Sequence, residues 1–204
     1  MPRDPVAELE AARTTVLDEA GRFVQELEPV LGPSLRAGFE RLRLAQPDRV
    51  GRLGEPTLAA LGAAVDRAIE LGVAETVERL RSPEIWVSPL TAPELPPRID
   101  PARPLGVPEW VARLRGSARE GSSLGRLDDM TNRIWVAISA AAKPLDPVLE
   151  EFGFRPERRR LGGGSFGVAA RTLPQLDPSG AIGQRWKRYR AAYERLTTLA
   201  AFDA

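Results

Sequence analysis

Leu9, Val16, Phe23 and Val30 recur every seven residues, with Ala20 and Leu27 between them. Such a seam predicts an amphipathic helix packed in a bundle or a coiled coil. Asp4-Pro5 opens it as N-cap and first helical residue, where proline's missing N–H costs nothing. Arg13 falls where the seam wants an apolar side chain, which argues against a long coiled coil. Pro29 and the pair Gly32-Pro33 predict an end or a kink. A second helix is then expected over residues 34–45, with Leu35, Phe39 and Leu42 inward. A third begins near Pro56, where Leu58, Leu61, Val65, Ile69, Val73, Val77 and Leu80 keep a three-four spacing. Gly72 is a candidate break in it.

The pattern changes at residue 83. Eight prolines fall between Pro83 and Pro108, too many for any helix. This stretch reads as extended or polyproline II backbone, a strap or linker pinned at its ends by Trp86 and Trp110. Recruitment of a proline-reading domain is the less economical account.

Helical spacing resumes over residues 109–115 and 123–142. In the second of these Leu127, Met130, Ile134, Ile138 and Ala142 form the inward stripe. Asp146-Pro147 repeats the opening seen at Asp4-Pro5, and Gly153 is placed to close that short helix. A turn at residues 177–180 leads into the last helix. Its inward face is Ile182, Trp186, Tyr189, Tyr193, Leu196 and Ala200, with Lys187, Arg188 and Arg195 outward and Arg185 and Arg190 flanking.

The expected fold is therefore all-α. An N-terminal helical bundle (1–82) is joined by a proline-rich strap (83–108) to a C-terminal helical half (109–204), which could share one domain with the first. One small β-hairpin near residues 157–171 is the only departure.

Composition then narrows the chemistry. The chain of 204 residues holds no cysteine and no histidine. That excludes disulfides, thiolate nucleophiles, Ser-His-Asp machinery and His- or Cys-ligated metals. No cofactor is expected. Only Lys143 and Lys187 among the 29 basic residues are lysines, and Ala, Gly and Pro abound, as in a GC-rich bacterial genome. The N-terminus has no apolar signal-peptide core, and the longest apolar run, residues 134–142, is shorter than the roughly 20 residues of a membrane span. A cytoplasmic protein without membrane contact is expected.

Charge is unevenly placed. Residues 1–30 carry three Arg against seven Asp/Glu, whereas residues 155–190 carry nine Arg/Lys against Glu157 and Asp177. This asymmetry predicts either an anionic partner for the basic segment or docking of the two ends on each other.

Within that segment, RRRLGGGSFG places Gly162, Gly164 and Gly167 on the spacing G-x-G-x-x-G. A dinucleotide loop needs a buried strand before it, a helix opening on it and an acid about 20 residues later. Here ERRRL precedes, Asp177 comes too soon, and no Lys-Ser/Thr follows for a P-loop. The glycines instead suit a hairpin turn whose free backbone N–H groups meet anions beside the arginines.

Arg155, Arg158, Arg159, Arg160, Gly162, Gly163, Gly164, Arg171, Arg185, Lys187 and Arg188 are the candidate partner- or polyanion-binding residues. Phe166, Trp186 and Tyr189 are interspersed, a mixture that contacts phosphate and stacks on bases. Helical spacing places Trp186, Tyr189 and Tyr193 in the core instead.

A third candidate is Asp128-Asp129-Met130-Thr131-Asn132. It resembles the aspartate-rich motif of terpene synthases, and Arg188-Tyr189 their Arg-Tyr pair. The resemblance implies that Asp128, Asp129 and Asn132 hold Mg²⁺ for diphosphate chemistry. No second metal motif accompanies it, and acids in the first turns of a helix have a structural use against the dipole.

The leading expectation is a non-enzymatic interaction or adaptor protein that binds a macromolecular partner through residues 155–190. Nucleic-acid binding by the same surface is the alternative, and a Mg²⁺-dependent enzyme the distant one. The seam on the first helix is satisfied within the chain or across a homodimer.

Overall fold

The computed structural model describes residues 5–87, 123–154 and 180–202, and every regular element among them is helical. The expected strap beyond Val87, Trp110, the 109–115 helix and the 157–171 hairpin lie outside the described residues. No helix among the described residues is long and apolar enough to cross a membrane.

Helix α1 runs unbroken from Pro5 to Leu44, through both Pro29 and Pro33. The expected break is therefore absent. Each interior proline removes a ladder donor and costs about 3 kcal/mol. Gln25, Pro29 and Pro33 are all exposed, so the carbonyls that lose a partner belong to solvated residues. Opposing that cost, Leu27, Leu31, Leu35 and Phe39 are buried along the same stretch, each contributing about 1.5–3 kcal/mol. The burial wins, and the helix continues.

The seam is also corrected in its second half. Leu9, Val16, Ala20, Phe23 and Leu27 are buried, but Val30 is 37% exposed and Leu31 takes its place. From Leu27 onward the buried positions advance by fours.

The chain divides into two compact units. The first takes Met1–Phe23, Ser82–Ile134 and Gln184–Ala204; the second takes Val24–Arg81 and Trp135–Gly183.

In the second unit a short helix α2 (Pro47–Val50) leads to α3 (Glu55–Leu80), which begins after Gly54 with Pro56 in its first turn. Leu61, Val65, Ile69, Val77 and Leu80 are buried as the spacing predicts. Arg36 of α1 pairs with Asp66 of α3, and Arg81 reaches Glu28 at 3.2 Å. Gly72 does not break α3. A Cβ there would collide with the Ala141 carbonyl and come within 3.2 Å of Pro144 Cδ. The glycine is needed for close approach of α3 to the chain at 140–144.

That chain is the end of helix α5 (Ser123–Ser139), which tightens into a 3₁₀ turn at Ala140–Ala142. The cause is Pro144, which has no N–H to offer the Ala140 carbonyl four residues back. The Lys143 N–H donates to that carbonyl instead, at 3.0 Å.

Helix α6 (Leu145–Glu151) follows at once. Its N-cap is Pro144, so Asp146 lies inside the helix rather than capping it. Burial, and then Glu150 four residues on, raise the Asp146 pKa above the usual carboxylate range. The helix closes as a Schellman motif. Gly153 has φ 75° and donates to the Glu150 carbonyl at 2.9 Å, while Phe154 donates to Leu149 at 2.7 Å. Phe154 and Leu149 are both fully buried.

In the first unit, α1, the short helix α4 (Glu84–Val87) and the final helix α7 (Ala181–Phe202) supply one aromatic cluster. Phe23 meets Trp86 edge-on at 5.8 Å and Trp186 at 5.3 Å, and Trp86 meets Tyr189 at 5.0 Å. The Tyr189 hydroxyl donates to the Trp86 carbonyl at 3.1 Å. Trp86 is buried here, but in a short helix where extended backbone was expected; the strap it was expected to pin lies outside the described residues.

Candidate functional site

Helix α7 is the described end of the basic segment, and its construction separates two faces. Trp186, Tyr189, Tyr193, Leu196 and Ala200 are buried, all at the positions the spacing predicts. Tyr189 is fixed by four contacts, ring contacts with Trp86, Trp186 and Tyr193 and its hydroxyl bond to the Trp86 carbonyl. Burial, with a smaller contribution from Tyr193, pushes its phenol well above the ordinary tyrosine range.

A raised folded-state pKa favours the protonated form. The contribution is whole below the unfolded value of about 10 and is lost as pH rises beyond it. The wild-type protein should accordingly lose stability above about pH 10, and Tyr189→Phe should flatten that loss while costing about 0.5–1.5 kcal/mol at neutral pH for the lost hydroxyl bond. Urea midpoints across alkaline pH measure both. An unchanged alkaline slope in the variant would show that Tyr189 is not the titrating group.

The opposite face of α7 is open. Gln184, Lys187, Arg188, Ala191, Glu194, Arg195 and Thr198 are exposed, and Arg185 and Arg190 are half-buried. Lys187, Arg188, Arg190 and Arg195 form no ion pair with any described residue; elsewhere Arg22, Arg36, Arg43 and Arg81 pair with acids, and Arg41, Arg49, Arg52, Arg67, Arg79 and Arg133 do not. Glu19 of the acidic first helix pairs with Arg22 at 3.0 Å.

Charge on α7 is unevenly placed along its length. A helix built for stability carries acids in its first turn and bases in its last. Here the first turn holds no acid and the last no base. Arg185, Lys187, Arg188 and Arg190 crowd the N-terminal half, and Glu194 is the one acid between Ala181 and Phe202. Positive charge is therefore concentrated in the N-terminal half of α7, where Lys187, Arg188 and Arg190 form no ion pair with a described residue.

Of the sequence candidates, Lys187 and Arg188 stand together on this face and Arg185 lies beside it. Arg155, Arg158, Arg159, Arg160, Gly162, Gly163, Gly164 and Arg171 lie outside the described residues. Arg195 belongs with Lys187 and Arg188 although it was not among the candidate binding residues. Its signal is its spacing, seven residues from Arg188 on the same face.

The aspartate-rich candidate is placed differently. Asp128 and Asp129 fall in the second turn of α5, beyond the first turn where the dipole acts, so the structural account by dipole weakens. Their side chains lie outside the described residues; Asn132 is exposed.

No protein family, curated protein or solved structure matches the chain. Function is read from the residues themselves.

Proposed function

We propose that this is a cytoplasmic helical-bundle protein that works by binding rather than by catalysis, holding a negatively charged macromolecular partner on its basic segment 155–190. The observation that carries the reading is the outer face of α7. Lys187, Arg188 and Arg195 are exposed together on it and form no ion pair with a described residue. Keeping Lys187, Arg188 and Arg190 within one turn of helix sets like charges against one another, which costs stability. A partner that neutralises them offsets that cost. The buried aromatic face holds α7 in place, so the outer side chains are presented from a fixed backbone.

The test is affinity capture from the native cell, with and without nuclease. Wild-type protein should retain a partner that the double variant Lys187→Glu/Arg188→Glu loses. Both substitutions lie on a solvated face, where folded-state stability shifts by about 0.5 kcal/mol or less. Retention of the same partner by the double variant would remove this surface from consideration.

A further inference from the structure

Resting on that reading of the basic surface, we infer that the outer face of α7 binds the phosphate backbone of a double-stranded nucleic acid. Three observations lead there.

The first is what the face lacks. Protein–protein interfaces are anchored by aromatic or large apolar side chains seated in pockets. Among the residues of α7 whose burial is described, the exposed ones are Ala181, Gln184, Lys187, Arg188, Ala191, Glu194, Arg195 and Thr198, none of them apolar and larger than alanine. An interface made from these side chains is polar and cationic, the character of nucleic-acid contacts.

The second is where the aromatics went. Binding of single strands relies on exposed rings on which bases stack. Trp186, Tyr189 and Tyr193 are buried against one another and against Trp86 and Phe23. The described part of the basic segment therefore presents charge without a stacking platform, which suits a backbone and not splayed bases.

The third is geometry. At 100° per residue, Lys187, Arg188 and Arg195 span an arc of about 100°. Lys187 lies at one edge, Arg188 and Arg195 at the other, and Gln184, Ala191 and Thr198 lie between. Lys187 and Arg195 stand about 12 Å apart along the axis at 1.5 Å per residue. That is the scale of the major-groove opening, about 12 Å in duplex DNA. Cations on both edges of such a face can reach phosphates on either side of a groove, while Gln184 between them can donate and accept. Glu194, next to Arg195 in sequence and on the Lys187 edge of the face, is the one opposing charge on the helix.

Fluorescence anisotropy of the full-length protein tests this, using a short DNA duplex, its separated single strand and poly-glutamate as probes over a range of salt. The duplex should bind most tightly. The slope of log affinity against log salt should fall by about 0.9 for each phosphate contact removed in Lys187→Gln, Arg188→Gln and Arg195→Gln. Glu194→Gln should tighten duplex binding, a change that impaired folding cannot mimic. Absence of duplex binding at low salt, tighter binding of the single strand, or a slope indifferent to the three substitutions overturns the inference. If poly-glutamate binds as tightly as the duplex and the same substitutions abolish it, the duplex inference falls while the basic-surface reading stands. If no probe binds and the nuclease-insensitive capture is also unaffected by the double variant, both fall.

Discussion

Gly72→Ala should unfold at a lower temperature than the wild type, while Gly62→Ala on the same helix should unfold at a higher one. Replacing a helical glycine by alanine ordinarily stabilises by roughly 0.5–1 kcal/mol, because the unfolded chain loses freedom. At Gly62 nothing lies within 4 Å of the added methyl, so that gain is realised. For a chain of this size it corresponds to a rise of about 2–4 °C per kcal/mol. At Gly72 the methyl meets the carbonyl oxygen of Ala141 and lies 2.9 Å from its carbon. Those atoms are backbone and cannot rotate away. Relief requires α3 and the 3₁₀ turn to separate, which costs about 1–3 kcal/mol or more and reverses the sign. Paired thermal melts of the two variants, with Gly21→Ala as a second open site, give the comparison. A Gly72→Ala protein as stable as Gly62→Ala would mean that the close approach is not there.

Phe23→Ala should be the most damaging single substitution in the first unit. Its ring is fully buried and touches both Trp86 and Trp186. Truncation removes the transfer free energy of the ring and leaves a cavity, a loss of about 3–5 kcal/mol. The two aromatic pairs add about 0.5–1.5 kcal/mol each. Against a total stability of about 5–15 kcal/mol for a domain, that loss takes a large share. Near-ultraviolet circular dichroism should weaken with it, since two of the tryptophans lose a common neighbour. Phe23→Leu, which refills part of the space, should recover much of the stability. A loss below about 1 kcal/mol, far under the expected truncation cost, with an unchanged tryptophan signal, would show that the cluster does not depend on this ring.

Much of this architecture could be read from spacing alone, and the departures have identifiable causes. Helix α7 was legible at Trp186, Tyr189, Tyr193, Leu196 and Ala200, while Ile182 is only half-buried and Thr197 is buried without a sequence signal. Helix α1 was legible to Leu27. Beyond that, a strict heptad drifts by about 20° per repeat against a 3.6-residue helix, and Val30 has accumulated three repeats of drift. Leu31 beside it is equally apolar, so the local pattern did not show which of the two would be covered. Pro29 and Pro33 were read as punctuation because proline's local cost was weighed without the burial that opposes it. Asp146-Pro147 looked like a cap because it copies Asp4-Pro5; Pro144 takes the cap position first. Gly72 reads locally as a break, which α3 does not show, since its reason is a carbonyl some 70 residues along the chain. Within the candidate site, Lys187 and Arg188 were found by charge and helical phase. The absence of internal partners for them is a tertiary fact that no local pattern encodes.

The hydroxyl bond from Tyr189 to the Trp86 carbonyl also bears on how the chain is made. At roughly 5–20 residues per second, the 103 positions that separate the two take about 5–20 s to synthesise. Throughout that interval the side of α1 carrying Phe23 has emerged without the helix that covers it. A nascent chain of this protein therefore spends seconds with an aromatic and leucine-rich surface open to whatever meets it at the ribosome, and the last turns of translation end that exposure.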